Sequence, residues 1–245
     1  MHRLRPWILA ALILALALPL CAGPFSFILF WRKGQMKGES RMLRPDQKVE
    51  IKDLVSTAPA RQKCENWAWA ASLETILQTQ KVPLPQSYWV LKADGGEVCK
   101  DGSASLSSLR KLINGVYILE DGRKVRLEAT TVAGAPEEMD AMIDAPRTGR
   151  PLMLLWKGHA YLYRGMVYDE MLAPTGQRWF FVKQLELLDP FGDGPEKQAA
   201  TYNRDQDDPN DIAGMVDVVA TAVEGTDWQH PEKELEKPTE IYFPK

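Results

Sequence analysis

The chain has 245 residues, of which 45% are hydrophobic and 26% charged, and its formal net charge is -3. That composition excludes a disordered tail and a polytopic membrane protein, and it allows one sizeable globular core. No Lys/Arg stripe interleaves with aromatics, so a nucleic-acid partner is not expected.

The N-terminus opens with His2-Arg3-Leu4-Arg5, an apolar run from Trp7 to Leu20, and Cys21-Ala22-Gly23. A basic start, an apolar stretch and small residues after it describe a secretory signal peptide over residues 1–22. The rival reading keeps residues 7–31 as a membrane anchor, long enough if helical to cross roughly 30 Å of hydrocarbon. Pro19, Gly23 and Pro24 oppose one unbroken helix, and the cations from Arg32 to Arg44 favour holding that flank in the cytoplasm. Both readings give an exported chain, extracytoplasmic or membrane-anchored.

Residues 32–59 are polar and basic without a sustained period and read as a linker. The domain is expected over residues 60–223, followed by a peripheral tail over 224–245. Past the N-terminal segment only Cys64 and Cys99 remain. An even pair in an exported chain reads as one disulfide, worth about 4 kcal/mol in the chain-entropy model; the plainer alternative is two free thiols.

Within the domain, Trp69, Ala70, Leu73, Ile76 and Leu77 recur at spacings of three and four, which predicts a core helix from Asn66 to Gln80, with Glu65 or Asn66 available as its cap. A short helix is expected over Ser105–Ile113. The runs Tyr117–Leu119 and Val125–Leu127 flank Glu120-Asp121-Gly122 and predict a hairpin. A helix is expected between Pro136 and Ile143. Leu152–Trp156, His159–Tyr168 and Trp179–Leu188 are aromatic and β-branched runs that predict an antiparallel meander. Phe191–Asp211 reads as a long loop, and Met215–Val223 as a final strand or helix. Helices first and sheet second make an α+β arrangement.

The segment Gln62-Lys63-Cys64-Glu65-Asn66-Trp67-Ala68-Trp69-Ala70-Ala71 resembles the start of the central helix in papain-like cysteine peptidases. Gly149-Arg150-Pro151-Leu152, Gly158-His159-Ala160 and Leu187-Leu188-Asp189-Pro190-Phe191 follow in the order seen in the double-glycine, bacteriocin-processing branch. The resemblance covers roughly residues 60–192. It implies an α+β papain-like fold, with a central N-terminal helix packed on an antiparallel sheet from the C-terminal half. It also implies Gln62 as oxyanion donor, His159 as catalytic histidine and Asp189 as the residue that orients it. A thiol peptidase needs a cysteine at that helix N-terminus, where dipole and imidazole stabilise thiolate. Ala68 stands there instead, and a methyl group attacks nothing. Loss of a triad nucleophile costs on the order of a million-fold in a serine peptidase.

Two readings stay open. In one, the chain is an inactive homologue that binds a peptide or protein. In the other, Cys64 supplies the nucleophile with His159 and Asp189, although Glu65 beside it would raise a thiol pKa. The bridge to Cys99 is the use of Cys64 that the resemblance implies. Trp67, Trp69, Tyr88, Trp89, Trp156, Tyr161 and Tyr163 are read as core before groove. No cofactor and no metal site is expected, since the histidines and cysteines lack zinc-type spacing. The acidic run Asp205–Asp211 reads as a solvated loop before a calcium site.

Overall fold

The structure is a computed structural model that describes residues 41–52, 54, 59–100, 105–135, 140–193 and 195–223. The expected signal peptide or anchor and the C-terminal tail lie outside these residues. So does the start of the helix expected at Pro136.

Eight strands form one sheet: β1 (Arg41–Glu50), β2 (Gly115–Ile118), β3 (Lys124–Ala133), β4 (Leu152–Trp156), β5 (His159–Leu172), β6 (Arg178–Leu188), β7 (Ala199–Asn203) and β8 (Ile212–Ala222). Their order is β2-β3-β8-β4-β5-β6-β7, with β1 also paired to β5. Every pairing is antiparallel. The helices are α1 (Ala68–Thr79), α2 (Gln86–Asp94), α3 (Leu106–Ile113), α4 (Asp140–Arg147) and the single turn α5 (Pro195–Gln198). The chain is therefore α+β, with a large antiparallel sheet.

Why β4 is apolar at every position follows from its place. Met153 belongs to the core under α1 and α3, together with Leu73, Leu109 and Leu127. Leu152 and Leu154 point into a second core built with Met142 of α4, Tyr163 and Leu185. A strand covered on both faces shows no alternation. β3 has one wet face and does alternate: Val125, Leu127 and Ala129 are buried while Lys124, Arg126 and Glu128 are exposed.

Several expectations need correction. Residues 41–50 are a strand, not linker: Val49 pairs with Met166 and Glu50 with Gly165 of β5. The sheet recruits β1, β2 and β3 from the first part of the chain, so it is not a product of the C-terminal half alone. The stretch from Phe191 to Asp211 contains α5 and β7, the latter paired with β6 through Leu185↔Tyr202. α4 runs to Arg147, further than expected, and β8 is a strand throughout. α2 was not foreseen; it ends at Gly95, whose φ of 72° is the left-handed conformation that terminates helices.

Among the described residues, no helix is long and apolar enough to cross a membrane. Cys64 and Cys99 form a disulfide with a Cα–Cα distance of 6.0 Å, the kind of bond that an oxidising, extracytoplasmic compartment maintains.

Candidate functional site

The N-terminus of α1 is fixed from three directions. The Trp67 amide donates to the Cys64 carbonyl at 3.0 Å. The Trp67 indole Nε1 donates to the Val98 carbonyl at 3.1 Å, one residue from the disulfide that ties the same two segments. The Gln62 amide donates to the Pro190 carbonyl at 2.9 Å, which holds the approach to α1 against the end of β6. Trp67 is the N-cap and makes no side-chain capping bond. The expected caps Glu65 and Asn66 precede it, and the first-turn amides have no side-chain acceptor from the cap.

His159 is delivered by a two-residue hairpin. Lys157 (φ 50°) and Gly158 (φ 75°) both take positive φ, as a primed hairpin turn requires, and Trp156 pairs across it with His159. Lys157 is held there by its backbone N–H, which donates a hydrogen bond to the Asp211 carbonyl at 3.0 Å, and by an ion pair with Asp207 at 2.9 Å.

Asp189 follows the last residue of β6. Its Oδ1 lies 2.8 Å from His159 Nε2 and also accepts the Phe191 amide at 2.9 Å. Burial opposes the Asp189 charge, but the His159 hydrogen bond, the Phe191 amide and the imidazole charge outweigh it and hold the carboxyl below its ordinary range. Tyr161 stands edge-on to the imidazole, with ring centroids 4.8 Å apart. Burial first, and the Asp189 charge second, push the Tyr161 hydroxyl up.

A cleft of about 490 Å³ opens beside this pair. Ala68 and Trp69 of α1, Ser105 and Leu106 at the start of α3, and His159 and Ala160 of β5 line it. Ala68 and His159 thus share one cleft, and Asp189 adjoins it through His159.

Gln62 is not among the residues that line the cleft. It is buried, and its Nε2 gives both hydrogens to nearby carbonyls, Cys64 at 3.0 Å and Glu65 at 2.8 Å. A donor committed twice to its own loop has none for a ligand. These bonds tie the Gln62 side chain to the loop before α1. Cys64 fares likewise: its sulfur is bonded to Cys99, so the alternative nucleophile has no thiol in this structure.

Of the aromatics considered, Trp69 lines the cleft and Tyr161 flanks His159. Trp67, Trp89, Trp156 and Tyr163 are core. Residues of the cleft that sequence reasoning missed are Asn66, the Ser105–Ser107 turn, Leu155 and Ala213. Asn66 carried a signal as a candidate cap, and Ser105 as the start of a helix; in the structure Ser105 caps α3 by accepting the Ser108 amide at 3.2 Å. Among the described residues no group of His, Cys, Asp and Glu is arranged to hold a metal. In the acidic loop, Asp207 accepts from the Asn203 amide and Lys157, and Asp208 from the Asn210 amide.

Compared with known proteins, the chain matches no family model, no curated relative and no solved structure.

Proposed function

We propose that this chain is an exported homologue of papain-like cysteine peptidases that has lost peptidase chemistry and binds a peptide or protein segment in the cleft beside Ala68. The observation that carries this reading is that Ala68 and His159 line one cleft while His159 keeps its 2.8 Å contact with Asp189. On this reading the His159–Asp189 pair is the orienting half of a triad whose attacking atom is absent. Gln62 supports the same reading, because its only donor group is spent on the loop. What remains is a mostly apolar cleft with the Ser105 and Ser107 hydroxyls, Asn66 and an imidazole for polar contacts, a composition suited to a peptide.

The test has two arms on the mature chain. Immobilised peptide arrays should retain it, and a bulky maleimide on Ala68→Cys should abolish retention by filling the cleft. Incubation of the wild type with a quenched fluorescent casein, with and without reductant, should release no signal above buffer. Hydrolysis that needs reductant and disappears in both Cys64→Ser and His159→Ala would overturn the reading in favour of an active peptidase using Cys64.

A further inference from the structure

A second compartment of about 440 Å³ adjoins the first, and the two share Leu106 and Ser107 as lining residues. It lies over the end of β3, at Thr131 and Ala133, and its other wall is the exposed side of α3 with Arg110, Lys111 and Asn114. Leu106 is the sill between the two compartments. Its side chain packs closely against Gly214, where a Cβ would collide with the Leu106 Cδ1 atom and the Val132 carbonyl.

The two compartments differ in charge. The first carries Glu65 and His159; the second carries two cations and no acid. Arg110 and Lys111 are both exposed, and neither makes an ion pair among the described residues. Their place in the last turn of α3 suits the helix dipole. That does not explain why both line a concavity that continues the cleft. Asn114 spends its carbonyl on the Ala129 amide at 2.5 Å, which leaves its Nδ2 as a donor. Arg110, Lys111 and Asn114 together form a donor-only wall suited to a carboxylate.

We propose that the ligand is an extended peptide that crosses Leu106 and places an acidic side chain, or its terminal carboxylate, against Arg110 and Lys111. From Leu106 to Arg110 is one helical turn, roughly 6 Å, and to Asn114 two turns, roughly 12 Å. An extended chain advances about 3.3 Å per residue. The acidic group therefore falls about two to four residues from the residue seated at the sill. This inference rests on the reading of the first cleft as a peptide site and adds a specificity to it.

A positional-scanning library of blocked octapeptides, read by fluorescence anisotropy on the full mature chain, tests it. The expected result is selection of Asp or Glu at one position, loss of that selection in Arg110→Gln/Lys111→Gln, and roughly tenfold weaker binding of acidic peptides by Arg110→Glu/Lys111→Glu. Both cations are exposed, and circular dichroism would verify that the variants fold. An unblocked C-terminus replacing the side-chain acid separates the two carboxylate sources. Peptides that bind, are displaced by the maleimide-filled Ala68→Cys cleft and show no acid preference would overturn this inference alone. No binding by any peptide would overturn it together with the reading beneath it.

Discussion

His159 Nε2 and Asp189 Oδ1 meet at 2.8 Å across 30 residues of sequence. The bond fixes which ring nitrogen remains for the cleft: Nε2 is engaged by the carboxylate, so Nδ1 is the one left to act. On the proposed reading this orientation serves no peptidase step, and the imidazole, which lines the cleft, is a polar contact for the bound segment.

Placing a thiol at position 68 should therefore give reactivity and not turnover. Ala68→Cys is expected to react with iodoacetamide below pH 7 faster than an unperturbed cysteine, because an imidazole and a helix N-terminus both favour thiolate. His159→Ala in the same background should remove the advantage. Peptide hydrolysis should stay near background, since Gln62 keeps its donor on the Cys64 and Glu65 carbonyls and loss of one oxyanion donor typically costs 10²–10³ in rate, as an order of magnitude. An alkylation rate that ignores His159 would mean that the two positions do not cooperate.

Asp189 also predicts a pH dependence of stability. Its folded carboxyl titrates below the ordinary value because bonds from His159 and Phe191 outweigh burial. A group depressed in the folded state contributes stability above its unfolded pKa and loses it as pH falls through the folded value. Urea unfolding should show the wild type more stable than Asp189→Asn at neutral pH by about 1 kcal/mol, a modest figure because both side chains keep about a quarter of their surface exposed. The gap should persist down to the ordinary carboxylate range and close below it. A gap independent of pH down to the acid limit would show that the carboxylate charge is not what stabilises the pair.

How much of this was legible beforehand follows a physical division. α1 was readable because Leu73, Ile76 and Leu77 repeat on one face and are fully buried; β4 to β6 were readable because packed strands need apolar, β-branched and aromatic side chains. β1 was not, because its residues Arg41 to Asp46 are exposed and its strand form comes from hydrogen bonds to β5, which leave no mark on composition. β7 was hidden in a turn-rich stretch for the same reason, with only Tyr202 fully buried. At the site, residue types and order suggested His159 and Asp189. The fate of Gln62 depended on where the Cys64 and Glu65 carbonyls point, and no residue type encodes that.

The disulfide should be both intact and structural. Intact-mass spectra of the mature chain without reductant should show no alkylation at Cys64 or Cys99. Cys99→Ser should lose about 4 kcal/mol, since the bridge closes a span of 35 residues, or roughly 10 °C in Tm for a domain of this size. Because the bridge joins the segment before α1 to the segment before α3, peptide binding should weaken along with stability. Two thiols that alkylate freely in the native protein would remove the bond from this account.

The last prediction concerns β1, whose membership in the domain was invisible in the sequence. β5 pairs with β6 along one edge and gives its other edge first to β4, over His159–Tyr163, and then to β1, over Gly165–Leu172. Gly165 sits at the changeover, where a Cβ would overlap the backbone of Val49 and Glu50. Beside it, Arg164 is mostly buried and bonds Glu50 at 2.8 Å, joining β1 to Glu186 of β6. Gly165→Ala should therefore push β1 away and cost Arg164 one of its two carboxylates, with a loss of about 2 kcal/mol, below the cost of breaking a fully buried ion pair from one side. Removing residues up to Glu50 should do comparable damage, while Arg41→Ala at the exposed end should be close to neutral. Hydrogen exchange would separate these outcomes: amides of β5 beyond Gly165 should lose protection in Gly165→Ala, whereas those of α1 should not. Unchanged protection on β5 would return residues 41–50 to the linker that their composition suggested.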